Sequence, residues 1–242
     1  MSATADVHRV VRVPPADPEA SAVLASWARR EGRKGERQEE SPLDVSGLDV
    51  SGLDLSGADL CGLDLAMGLF CGTVLRDTRL GGTDLYRAHM EGAVLAGADL
   101  SRACLTKTVL DEADLRGATA AEANLGSAEL YGVDARGASF RGARLNGASF
   151  LDARLEGADL TGASVRETSL KAALDGRNRV EGLTGTVSGP ARLEGSGSSR
   201  ELAGDSLERR LNERGASVEV LHSAPRCSPP PSTTPTSTSP AR

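Results

Sequence analysis

Every residue whose number is a multiple of five, from Val45 to Leu170, is apolar, so that residues 41–170 form 26 consecutive pentapeptides without an insertion. Seventeen of these centres are Leu; the others are Val45, Val50, Phe70, Met90, Ala120, Ala135, Phe140, Phe150 and Val165. Two residues before each centre stand fifteen Ala, five Thr, four Leu, one Gly and one Val, and two residues after it fifteen of the 26 positions are Gly. Neither the α-helix nor the flat strand has a period of five. A long alanine-rich helix is excluded as well, because each regularly placed Gly would cost it about 1 kcal/mol.

Burial explains the period. Two inward residues separated by one outward residue make a minimal buried segment, and a glycine that accepts positive φ turns the chain before the next segment begins. Four such segments close a square. The chain then winds in coils of about twenty residues, stacked at roughly 4.8 Å, which gives a rod on the order of 31 Å long. The centres fill the axis, so Leu60, Phe70, Leu80, Leu100, Leu105, Phe140 and Phe150 are expected in the core, with Ala120 between Leu100 and Phe140 in one column. The chain is only 2% aromatic, which suits a core of stacked small aliphatics.

The cleanest copies, Ala58-Asp59-Leu60-Cys61-Gly62 and Ala98-Asp99-Leu100-Ser101-Arg102, resemble the pentapeptide repeat family, and the resemblance covers 130 of the 242 residues. It implies an all-β solenoid, a right-handed quadrilateral parallel β-helix. Short flanking helices and a disordered C-terminal tail complete the expected architecture. In residues 1–40, Asp17 and Pro18 open an amphipathic helix over about 17–34, with Ala20, Val23, Leu24 and Trp27 on one face. A charged linker follows it. After Leu170 the frame fades to about residue 185. Residues 171–224 are read as a C-terminal cap, with a helix from about 199 to 213 carrying Leu202, Leu207 and Leu211, stopped by Gly215 and followed by a strand-like Ser217-Val218-Glu219-Val220-Leu221. Residues 225–242, rich in Pro, Ser and Thr, read as disordered.

Net charge is −6, which argues against direct binding to nucleic acid or to anionic membranes. No signal-peptide pattern or membrane span is found, and a cytoplasmic location is expected. Cys61, Cys71, Cys104 and Cys227 form no C-x-x-C pair, and the three histidines stand in no catalytic arrangement, so neither a metal, a cofactor nor an enzymatic activity is indicated.

What remains is surface. The residue before each centre faces outward, and Asp44, Asp64 and Asp84 fall in one column; with Asp49, Asp54 and Asp59 they form a candidate acidic partner-binding stripe in a stretch, residues 41–70, that has no Lys, Arg or His. Asp at this position also bonds turn amides, which gives each carboxylate a structural role. Leu69, Val74, Val94 and Val109 replace polar residues at the outward position on two adjacent columns, a candidate apolar interface. The resemblance implies a sharper function, since some family members are acidic rods that dimerise through their C-terminal ends, mimic DNA, and protect gyrase or topoisomerase IV from quinolones and other poisons. The same function is expected here, with homodimerisation through the C-terminal cap. Arg116, Arg136, Arg144 and Arg154 interrupt the negative field in the later coils. The alternative is a general protein-interaction scaffold that uses the apolar patch and is unrelated to gyrase.

Overall fold

The computed structural model describes residues 46–195 and 197–221. The amphipathic segment at 17–34, Asp44, Val45 and the tail at 225–242 lie outside the described residues.

Each pentapeptide repeats the same backbone. The N–H three residues after a centre donates to that centre's carbonyl, as Leu53 does to Val50 at 3.2 Å and Ala58 to Leu55 at 3.1 Å. The residue two after the centre has positive φ, and the one before it does not, the arrangement of a type II turn. Where Gly is absent, other residues take the same conformation, among them Met67 (φ 58°), Arg87 (φ 56°) and Glu122 (φ 58°). The frame therefore holds against an intrinsic cost of about 1 kcal/mol at each such corner.

Between corners the chain bonds to the neighbouring coils. Val50 N–H donates to Leu69 carbonyl, Gly52 N–H to Cys71 carbonyl, and Leu69 N–H back to Leu48 carbonyl, at 2.8–2.9 Å. The resulting parallel bridges join residues twenty apart in four columns, beginning Asp49–Leu69, Asp54–Val74, Asp59–Arg79 and Asp64–Asp84. The result is a β-helix solenoid of twenty-residue coils.

The centres meet inside. From Val50 to Leu170 every one of them is buried, and Leu60, Phe70, Leu80, Leu100, Leu105, Phe140 and Phe150 are each at most 2% exposed. Phe140 and Phe150, half a coil apart, touch edge to face with ring centroids 6.0 Å apart. The small centres Ala120 and Ala135, one in the column of Phe140 and the other the centre immediately before it, offset the volume of these rings. The single Gly at the slot two before a centre has a similar cause: a Cβ on Gly68 would lie 2.6 Å from Cε2 of Phe70.

That same slot explains the five Thr. Thr73, Thr78, Thr83, Thr108 and Thr168 are fully buried, and each hydroxyl donates to the carbonyl of the centre 23 residues earlier, for example Thr78 to Leu55 at 3.0 Å and Thr108 to Leu85 at 2.7 Å. A buried hydroxyl costs stability unless it is bonded, and here the preceding coil's turn supplies the acceptor.

The frame shortens at the C-terminal end. Arg154 bridges Ala173, nineteen residues on, before Asp159 and Arg179 restore the spacing of twenty. Continuous strands then replace the corners: β1 (Ser164–Ser169), β2 (Ala173–Asp175), β3 (Thr184–Ser188), β4 (Ala191–Gly195), β5 (Ser198–Leu202) and β6 (Ser217–Leu221). They form two sheets, ordered β1-β3-β6 and β2-β4-β5, parallel except for the antiparallel pair β4 and β5. The helix α1 (Gly204–Asn212) buries Leu207 and Leu211 against this end. The helix expected from about 199 to 213 is thus corrected at its start. Ser199, Arg200 and Glu201 pair with β4, and Leu202 belongs to β5, because a hairpin partner takes the backbone bonds that a helix would have used. The Asn212 side chain bonds both the N–H and the carbonyl of Val218 at 3.0 Å, tying α1 to β6.

Candidate interaction surface

Of the five amides in a pentapeptide, four find backbone acceptors, and the one just after the centre does not. The outward Asp supplies it. Ser51, Ser56, Cys61, Ala66 and Tyr86 donate their N–H to Oδ1 of Asp49, Asp54, Asp59, Asp64 and Asp84 at 2.9–3.2 Å. The Ser51 amide holds Asp49 below the usual carboxylate pKa. Asn124 makes the same bond to Gly126 N–H at 3.2 Å, so the turn requires the oxygen and not the charge.

Asp64 and Asp84 are directly paired in one column, whereas Asp49, Asp54 and Asp59 each lie on a different face. The predicted stripe is therefore a ring of carboxylates around the first described coil, continued along one face by Asp84. Residues 46–75 contain no Lys, Arg or His, and among the described residues no cation lies within ion-pair distance of Asp49, Asp64 or Asp84. Asp59 differs, since its Oδ2 meets Arg79 Nη1 at 2.7 Å.

Charge balance changes further along. Arg116 and Arg136 pair with Asp114 and Asp134 at 2.7 and 2.6 Å, and Arg154 reaches both Asp134 and Glu156. The Arg116 guanidinium keeps Asp114 below its ordinary pKa. These ladders arise because residues two apart share a corner and residues twenty apart share a column, a neighbourhood the sequence shows only once the coil length is known.

Leu69 and Val109 share a column with His89 between them, and Val74 and Val94 are paired in the next, so the four apolar residues occupy adjacent faces. Leu69 is exposed, Val74, Val94 and Val109 are half-buried, and Met67 beside them is 55% exposed. Sequence reasoning missed Glu91, the carboxylate that joins Cys71 and His89 at their edge. Glu91 accepts from the Cys71 thiol at 3.3 Å and pairs with His89 Nδ1 at 3.1 Å. Burial works to raise the Glu91 carboxyl, but the bonds from His89, from its own amide and from Cys71 outweigh it and leave the group below its usual value. Burial first, and Glu91 next, push the Cys71 thiol up, so this arrangement prepares no thiolate nucleophile.

A sequence-family profile described as Pentapeptide repeats (8 copies) matches residues 73–111, 108–147 and 136–171, inside the stretch where the bridges repeat every twenty residues. The chain belongs to the pentapeptide repeat family. Solved pentapeptide repeat proteins resemble it. HetL of the cyanobacterium Nostoc, a protein involved in heterocyst differentiation regulation, is 25% identical over 69% of this chain and 78% of its own, with a TM-score of 0.33. A thylakoid-lumen pentapeptide repeat protein of Arabidopsis thaliana is 32% identical over 44% of this chain and 68% of its own, with a TM-score of 0.31. QnrB1, a plasmid-mediated fluoroquinolone resistance protein, is 19% identical over 60% of this chain and 77% of its own, with a TM-score of 0.36. Among curated proteins no sequence matches. Pentapeptide repeat proteins are in general structural or interaction proteins.

Proposed function

We propose that this pentapeptide repeat protein is a non-enzymatic, protein-binding rod whose right-handed, square coils present an acidic N-terminal end to a basic protein surface. The surface is the DNA-binding face of gyrase or topoisomerase IV, and occupying it protects the enzyme from quinolone-type and other topoisomerase poisons. One observation carries the reading. The axis is filled from Val50 to Leu170, so binding falls to the outer faces, and on the first of these Asp49, Asp64 and Asp84 lie beyond ion-pair distance of any cation among the described residues. In the later coils Arg116 and Arg136 neutralise the column they share, which leaves the N-terminal coils as the contact. Two copies joined at their C-terminal caps place such an end at each tip of a longer rod.

A gyrase supercoiling assay with and without a fluoroquinolone tests this. The protein is expected to alter the drug's effect, less so at higher salt. Replacing Asp49, Asp64 and Asp84 together by Asn removes three charges and keeps the turn bonds, as Asn124 does, so the effect should vanish while melting stays nearly unchanged. If wild type leaves supercoiling and its inhibition untouched, the gyrase reading fails.

A further inference from the structure

The apolar faces of the first coils border an acidic edge. Glu91, Asp111, Glu112 and Glu129 lie on the column of Val109 or at the corner next to it, and among the described residues no Lys or Arg pairs with any of them. Outside the described residues, the chain itself carries the complement. Val23, Leu24 and Trp27 fall on one side of a helical pattern, and Arg29, Arg30, Arg33 and Lys34 follow directly.

Dimensions agree. Leu69 and Val109 are two coils apart, roughly 10 Å, and a helix rises about the same distance between residues 20 and 27. The eleven residues from 35 to 45 can span up to about 36 Å, while Leu69 is bridged to Asp49 in the first described coil.

We infer that the segment from Asp17 to Arg37 docks along the side of its own rod. Val23, Leu24 and Trp27 cover Leu69, Val74 and Val94, and the basic run lies over Glu91, Asp111 and Glu112. Apolar contact sets the position, and the basic run meets the carboxylates at the corner between the two apolar columns. The inference does not depend on the gyrase reading, which uses the carboxylates of the first coil.

Trp27 is the chain's only tryptophan, so its fluorescence reports on this contact alone. In the full-length protein its emission should be blue-shifted and shielded from acrylamide. Leu69→Asp, at an exposed position that leaves the fold intact by circular dichroism, should shift emission to the red and restore quenching; Val94→Asp should do the same, and Glu91→Gln with Glu112→Gln should do so in part. Solvent-like emission in the wild type would overturn the inference. So would shielding that Leu69→Asp does not relieve, which places Trp27 elsewhere, or shielding that disappears on dilution, which makes the occupant a second copy.

Discussion

Gly52 and Gly185 both have positive φ, at 72° and 123°, yet their substitution should have different consequences. A Cβ on Gly52 meets nothing within 4 Å, so Gly52→Ala carries only the conformational cost of about 1 kcal/mol. A Cβ on Gly185 would overlap the Val165 carbonyl oxygen, and no flexible side chain can yield there. Gly185→Ala is expected to separate β3 from β1 and to lower the melting temperature far more than Gly52→Ala; equal shifts would contradict the close approach. The sequence marked Gly52 through its place in the frame. Gly185 carried no such mark, because its constraint comes from the pairing of Val165 with Gly185 that only the folded last coil creates. The Thr slots were visible as exceptions to Ala, but their bond to the carbonyl 23 residues earlier needs the coil length and the turn geometry together.

At the scale of the element, each coil rests on its neighbours, so a loss at one level is felt by the two beside it. Phe140 fills the axis against Phe150 and above Ala120. Phe140→Ala leaves two consecutive small centres in one column and should cost about 3–5 kcal/mol in urea unfolding. A variant that melts like wild type would show that the axis is not packed there. The repeat region was legible because its period is set locally, by which two of five side chains are buried. The cap was less so. Leu202, Leu207 and Leu211 fit a helical spacing from sequence, yet Ser199, Arg200 and Glu201 pair with β4, a contact that no local pattern announces. The acidic residues were legible as a set; their distribution over four faces followed from the register.

For the whole molecule, the Arg-paired carboxylates make stability depend on acid. Asp114, held by Arg116, and Asp134, where burial is outweighed by the bonds from Arg136, have folded pKa values below those of the unfolded chain. As pH falls the unfolded chain therefore takes up protons first. Their stabilisation is complete above about pH 5 and is lost as pH drops through the lowered values. The melting temperature should be level from neutral pH to about 5 and decline below it; a flat profile down to pH 2 would contradict the role given to these groups. All of these expectations depend on residues twenty apart lying one above the other. A Cβ added at Gly81 would sit 3.7 Å from Cys61 Sγ in the preceding coil, within reach of a disulfide after a small rotation. Mild oxidation of Gly81→Cys, followed by peptide mapping, should yield one dominant intramolecular bridge between positions 61 and 81; a free thiol at 81, or one bonded equally to Cys61, Cys71 and Cys104, would contradict the twenty-residue coil.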